Sequence, residues 1–267
     1  MSPREEGRIT LAVIGGTGLY KLAALADEKA MTAATPYGMP SGPVRVGDFG
    51  GHRIAFLARH GEAHSLPPHS VNYRANLWLL KEIGVTRVLA VNAVGGITER
   101  HGPRAIGVPD QIIDYTWGRA STFCEGSAWE EQGSEVLHVD MTEPYTRSLR
   151  ESVLAAASVA KIGVVDGGCY GATQGPRLET KAEIERLRRD GCDLVGMTGM
   201  PEAGLARELG LDYAAVALVA NWAAGCGPST GSGSTEITME EVFANLDHAT
   251  AHLPALLFAL LDAIDPR

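Results

Sequence analysis

Long apolar runs, clustered cysteines and an excess of basic charge are all missing from this 267-residue chain, and each absence removes a class of function. No segment approaches the roughly 20 apolar residues that a membrane span requires. The most apolar stretches, 213–220 and 253–261, have the length of core elements, so no membrane partner is expected. The N-terminus, MSPREEGR, mixes both charge signs and lacks the apolar centre of a secretory signal. The four cysteines, Cys124, Cys169, Cys192 and Cys226, show neither C-x-x-C spacing nor the density of a disulfide framework, which points to a reducing, cytoplasmic setting. With 23 Lys and Arg against 32 Asp and Glu, and the basic residues scattered, the net charge of −9 argues against a nucleic-acid partner. Small molecules are the expected ligands, and a small anion needs a local cluster of donors.

What is present is enough apolar sequence, 45%, to build a sizeable core. Nothing resembles a linker, and the chain reads as one domain over residues 1–267. Residues 10–14 predict a buried strand running into Gly15-Gly16-Thr17-Gly18. A second strand at 53–58 leads into RHGEAHSLPPHS, where Gly61, Pro67 and Pro68 rule out regular structure. From 69 to 83 the apolar residues Val71, Ala75, Trp78, Leu79 and Ile83 recur at helical spacing, with Ser70 as cap and Gly84 as stop. A strand at 87–91 then ends in another glycine-rich turn, Asn92-Ala93-Val94-Gly95-Gly96. The second half predicts helices at 147–161, 181–189 and 202–209, strands at 168–173, 193–196 and 213–220, and a last helix over 239–264 that Pro254 bends or interrupts. Such alternation predicts an α/β fold, a central mixed sheet flanked by helices, with ligands beyond the carboxyl ends of the strands. Residues 225–234, GCGPSTGSGS, are expected to form a flexible Gly/Ser loop or lid.

Several short motifs suggest chemistry that their context does not support. The first glycine turn lacks the third glycine of a dinucleotide fingerprint, and no Walker lysine follows; a tight turn without a ligand is the plainer alternative. Gly227-Pro228-Ser229-Thr230-Gly231 fits G-x-S-x-G but has flexible flanks where a nucleophile elbow needs a strand and a helix. His60, His64 and His69 sit in a loop with Gly61 and two prolines, which does not place metal ligands on one face, so no metal is expected; hydrogen bonding within the loop suits His64 and His69. Arg59-His60 is more informative. It sets a guanidinium and an imidazole at the end of a buried strand, and arginine can hold a phosphate through two parallel hydrogen bonds. Thr17, Arg59 and the amides near Ala93 all lie at strand ends, where they can converge on one anion.

Eight segments in order, IGGTGL, TPYGMPS, LARHG, VNYRANLW, NAVGGI, TQGPRLET, VGMTGMPEA and VANWAAG, resemble the trimeric purine nucleoside phosphorylases, in the branch that holds the methylthioadenosine and methylthioinosine phosphorylases. The resemblance covers nearly the whole chain and implies a nucleoside phosphorylase-like fold, a homotrimer, and cleavage of a nucleoside by inorganic phosphate as co-substrate, with no metal or organic cofactor. It places Thr17, Arg59, His60, Asn92, Ala93 and Thr198 at the phosphate, although Asn92 departs from the threonine of methylthioadenosine phosphorylases. It places Met197 at the ribose, Leu178, Glu179, Asn221 and Ala223 around the base, and Asn221 and His60 among the groups assisting catalysis. The segment LHVDMTEPY matches the one that reaches a neighbouring subunit's site, which makes His138 a candidate at the sugar's 5′ end. Adenine-using members carry aspartates at the positions of Asn221 and Ala223; here Glu179 and Asn221 match the pair that reads 6-oxopurines. Met239 stands where enzymes of ordinary ribosides have a histidine, and with Val242 and Phe243 it implies an apolar wall suited to a 5′-methylthio group. The expected activity is therefore phosphorolysis of a 6-oxopurine nucleoside, S-methyl-5′-thioinosine above all, with a general inosine or guanosine phosphorylase and a methylthioadenosine phosphorylase as alternatives. A hydrolase and a silent ligand-binding protein are the readings from other classes. Simpler roles also exist: Glu179 as a helix start, Asn221 as a strand end, and Met239, Val242 and Phe243 as the core face of an amphipathic helix.

Overall fold

The computed structural model describes residues 8–16, 25–126, 129–130, 135–227 and 237–266. Thr17 and most of the Gly/Ser segment, from 228 onward, lie outside these described residues. One sheet of eleven strands organises the chain. Its centre is built from β1 (Leu11–Gly15), β4 (His52–Ala58), β5 (Arg87–Gly96) and β11 (Asp212–Trp222), all mutually parallel. β2 (Ala26–Met31) and β3 (Val44–Phe49) extend it antiparallel on one side. Beyond β5 the sheet divides. One arm carries β10 (Leu194–Gly196), β9 (Cys169–Ala172) and β7 (Gln111–Asp114), and the other carries β6 (Ile106–Val108) and β8 (Val165–Asp166) beside β11. This is the mixed, helix-flanked α/β sheet that the alternation predicts.

Strand pleat sorts the core. Leu11 and Val13, Ile54 and Phe56, Leu89 and Val91, and Val216 and Leu218 face one layer, against α2 (Arg147–Val159), α5 (Met239–Thr250) and α6 (Leu253–Ile264). Ala12 and Ile14, Ala55 and Leu57, Val88 and Ala90, and Tyr213 and Ala215 face the other, against α1 (Tyr73–Glu82) and α4 (Glu202–Glu208). Strands covered on both faces need no polar side, which is why they read as unbroken apolar runs.

Four expectations need correction. α1 begins at Tyr73, not near 69, because Asn72 and not Ser70 caps it, its side chain accepting from Ala75 N at 3.1 Å. Pro68–Ser70 forms a separate short 3-10 turn. The stretch from Asn92 to Gly96 is strand and not turn, since β11 pairs with β5 along its whole length. The last helix is two, and the break falls between Thr250 and Leu253, with Pro254 seated in the first turn of α6 where its missing N–H is harmless.

Leu89 is fully buried at the centre of this double-sided core. Leu89→Ala is expected to lower the unfolding free energy by about 2–5 kcal/mol in chemical denaturation, whereas Val159→Ala, at a position 77% exposed, changes it by less than about 0.5 kcal/mol.

Candidate active site

A cavity of about 480 Å³ opens beyond the carboxyl ends of β1, β4, β5 and β11. Its size falls within the ordinary range for small-molecule sites. Its walls bring together Arg59, His60, Ala93, Thr198, Leu178, Glu179, Met197, Asn221, Ala223, Met239, Val242 and Phe243, residues scattered over most of the sequence. Two expected members are elsewhere: Asn92 and His138 do not line it.

On this wall Arg59 leaves β4 fully buried. Its fork faces Glu202, with Nε at 2.8 Å and Nη2 at 2.9 Å from the two carboxylate oxygens. Nη1 donates to Val91 O at 3.1 Å and Nη2 to Ile14 O at 3.3 Å. Of five guanidinium hydrogens four are directed to protein acceptors, so the bidentate grip expected for an anion falls on Glu202 and one Nη1 hydrogen is left. Burial pulls the Arg59 pKa down, but the Glu202 charge and hydrogen bonds outweigh it and hold the guanidinium well above its ordinary value. Tyr213 Oη completes the cluster, donating to Glu202 Oε1 at 2.9 Å.

His60 is in the opposite electrical state. Burial first, then the charge of Arg59 and the neighbouring His64, lower its pKa to about 4, against a weaker opposing effect from the Leu66 carbonyl. Nδ1 lies 2.8 Å from Leu66 O. A carbonyl only accepts, so Nδ1 carries the proton and Nε2 presents a lone pair, close to the backbone of Gly16. Thr198 Oγ1 accepts from Asn92 Nδ2 at 2.8 Å, which leaves the hydroxyl proton of Thr198 to be donated elsewhere. Asn92, buried in β5, thus stands behind Thr198, while the next residues, Ala93 to Gly95, line the cavity.

Elsewhere on the wall Glu179 accepts from Thr173 Oγ1 at 2.6 Å. Capping of α3 (Lys181–Arg189) is done by Thr180 with Glu183, a reciprocal capping box, so Glu179 is not needed there. Asn221 owes its placement to a bulge. The register of β11 against β5 slips between Val219 and Asn221, so Ala220 and Asn221 both reach the cavity wall. The Ala220 carbonyl accepts from Asn245 Nδ2 at 2.8 Å, and Asn245 Oδ1 accepts from Arg104 Nε at 2.9 Å. Asn221 Nδ2 donates to Trp222 O at 2.7 Å. Ala223 is buried and brings no carboxylate.

The apolar wall comes from the start of α5, whose cap is Thr238. Met239 and Phe243 are 56% and 49% exposed, so they are rim and not core; Val242 alone packs against the inner layer. His138 is on the surface beside exposed Val136 and Leu137, away from this cavity. Among the described residues no group of three or more His, Cys, Asp or Glu is placed to hold a metal, all four cysteines are unpaired, and no helix is long and apolar enough to cross a membrane. Glu202, Arg119 and Asn245 were not singled out by the sequence. They act through other side chains at long separation, Glu202 lying 143 positions from Arg59, and only its place in GMPEA hinted at a role.

Known proteins resemble this chain in sequence and fold. The model of the phosphorylase superfamily matches residues 10–262. A probable S-methyl-5′-thioinosine phosphorylase of Xanthomonas campestris pv. campestris is 65% identical over 249 residues, 93% of this chain and 96% of that protein. A 6-oxopurine nucleoside phosphorylase of Pyrococcus furiosus is 42% identical, covering 95% of this chain and 92% of its own. A methylthioadenosine phosphorylase of Schistosoma mansoni, solved with adenine, superposes with a TM-score of 0.87 at 31% identity over 97% of this chain and 93% of that one.

Two outcomes are expected. Glu202→Ala strands a buried guanidinium and is expected to cost about 3–5 kcal/mol of stability, against about 1 kcal/mol for Tyr213→Phe, both read from denaturant midpoints. The folded His60 pKa lies near 4, below the 6.5 of the unfolded chain, so the unfolded state binds more protons between those values. Stability is then lost as the pH falls through this window, by up to about 3 kcal/mol, and His60→Asn, which keeps a donor toward Leu66 O, flattens that part of the profile.

Proposed function

The chain belongs to the phosphorylase superfamily, and on that footing we propose that it cleaves 6-oxopurine nucleosides with inorganic phosphate, S-methyl-5′-thioinosine in particular. The products are hypoxanthine and 5-methylthioribose 1-phosphate, which makes it a purine-salvage pentosyltransferase. The observation that carries this reading is one cavity whose wall holds Glu179 and Asn221 together with Arg59, His60, Ala93 and Thr198.

A phosphate beside the last four of these attacks the anomeric carbon while the purine leaves, so positive charge develops on the sugar and negative charge on the base. Donors already fixed toward those positions favour the transition state, and holding the nucleophile in line removes much of the entropic barrier. Thr198, with its proton aimed by Asn92, and the remaining Arg59 hydrogen serve the phosphate, with Thr17 the family-implied addition. The His60 lone pair accepts a proton carried by phosphate or a sugar hydroxyl. Met197 packs on the ribose and Leu178 on the base. Glu179 accepts the N1 proton of a 6-oxopurine, and Asn221 steadies N7 and O6 of the leaving base; adenine has no N1 proton to give. Phosphate is a co-substrate, and no organic cofactor or metal takes part.

The 5′ wall of Met239, Val242 and Phe243 favours a thioether, while a hydroxyl left there without a partner loses about 1–3 kcal/mol. The half-exposed rim supports a second reading, a general inosine and guanosine phosphorylase, because water can reach a 5′-hydroxyl there. The resemblance of the sequence motifs carries the further expectation of a homotrimer in the cytoplasm, with His138, on an exposed segment that does not line its own cavity, serving a neighbour's sugar.

One assay panel tests all of this. Base release is expected to require phosphate and to yield the sugar 1-phosphate; equal release without phosphate would indicate a hydrolase. Methylthioadenosine is expected to react with kcat/KM lower than methylthioinosine by a factor on the order of 10⁴. Methylthioinosine is expected to exceed inosine by roughly five- to 150-fold, and an equal or higher value for inosine selects the general reading.

A further inference from the structure

Arg119 has no place in the chemistry above and does not line the cavity, yet its guanidinium is the most heavily bonded group beside it. Nε donates to Gln174 Oε1 at 3.2 Å. Nη1 donates to Met197 O at 2.8 Å and Met200 O at 2.6 Å, with Tyr73 Oη at 3.3 Å. Nη2 donates to Thr173 O at 3.2 Å and Gln174 O at 2.8 Å. Its plane lies 5.7 Å from the Tyr73 ring centre. Every guanidinium hydrogen is therefore directed at an acceptor.

The acceptors belong to segments that lead into separate parts of the cavity wall. Thr173 and Gln174 begin the loop that ends at Glu179, and Thr173 is also the hydrogen-bond partner of the Glu179 carboxylate. Met197 and Met200 bracket Thr198. Tyr73, through its own hydroxyl, donates at 2.9 Å to the carbonyl of Pro68, a residue of a third wall. The first two loops also meet directly: a Cβ on Gly175, which has φ of +61°, would lie 2.4 Å from Met197 Sδ. A planar fork suits this duty, since it reaches several fixed carbonyls at once in directions that a lysine ammonium, a point charge on a flexible stem, does not reproduce.

We propose that Arg119 is a positioning residue that sets the spacing between the base-reading loop at Glu179 and the loop carrying Met197 and Thr198. This rests on the cavity being the nucleoside and phosphate site. Moving the Met197 carbonyl moves the adjoining Thr198 backbone with it, and a misplacement of about 1 Å at a reacting group reduces rate on the order of 10²-fold.

The full-length chain and its Arg119→Ala and Arg119→Lys variants test this with two independent readouts. The first is amide hydrogen exchange on the free proteins, which reports local opening. Arg119→Ala is expected to speed exchange in residues 173–179 and 197–201 together while β1 and β5 keep their protection. The second is steady-state kinetics with methylthioinosine and phosphate. Arg119→Ala is expected to lose about 10²-fold in kcat/KM with raised KM for both substrates, Arg119→Lys to recover only part of that, and added guanidinium ion at sub-denaturing concentration to restore activity to Arg119→Ala more than ammonium does. The proposal is overturned by unchanged exchange in either loop, by kcat/KM within about threefold of the parent, or by activity lost only in proportion to folded protein in the melting transition. Should the alanine variant not fold, the lysine variant decides by the same two measures. A parent protein with no phosphate-dependent cleavage refutes the reading of the site instead, and the exchange result still judges the tie between the loops.

Discussion

A guanidinium shut away from water must be given an anion and enough acceptors, and Arg59 receives both from parts of the chain that are far apart. Glu202 supplies the charge, and the carbonyls of Ile14 and Val91 supply acceptors from two neighbouring strands. Desolvating two ions costs several kcal/mol each, and only close geometry with further hydrogen bonds offsets it. The arrangement ties three adjacent central strands together at one spacing and fixes the first residue of α4. The Met197–Pro201 segment, which runs directly into α4, is thereby located against the sheet, and His60, the next residue after Arg59, inherits its position.

The same pairing shapes the field inside the cavity. Arg59 is matched by Glu202, and His60 is neutral at ordinary pH. An anion entering beside them meets oriented neutral donors and one remaining guanidinium hydrogen more than a free positive charge. Such a surface differs from a basic cluster, and it accords with the overall acidity of the chain. Fixed dipoles do not need to reorganise as charge shifts during reaction.

Much of the frame was legible because burial on both faces leaves an unmistakable mark: β1, β4, β5 and β11 are runs of Val, Ile, Leu and Ala. β2 left no such mark. All six of its residues, Ala-Asp-Glu-Lys-Ala-Met, are exposed at an edge of the sheet, where charge protects against pairing with another chain. The helix start at Asn72 was missed for a related reason: Ser70 and Asn72 are both competent caps, and only the Pro68–Ser70 turn decides between them. In the site, polar residues at the ends of apolar runs, such as Arg59, His60, Thr198 and Asn221, stood out. Those whose partners lie in another segment did not. Nothing local marks Glu202 as the counter-ion of Arg59, or Arg119 as the acceptor-filling fork between two loops, because the information is held in three-dimensional proximity and not in spacing. Asn92 shows the converse limit: it is the right residue type where the apolar run stops, yet the strand continues to Gly96 and Asn92, buried within it, supports Thr198 from behind.

The bulge at Ala220 has a consequence for how this family of pockets can change. A regular strand alternates its side chains, so β11 would present every second residue to the cavity and send the others into the α5 layer. The added position at Ala220 shifts that phase just where the strand leaves the core, letting an apolar run up to Val219 pass into the cavity-lining positions Asn221 and Ala223 without altering either half. The cavity wall in this stretch is therefore open to substitution but closed to changes in length: removing or adding one residue between Val219 and Ala223 exchanges the residues that face the cavity for those that face the helix, all at once.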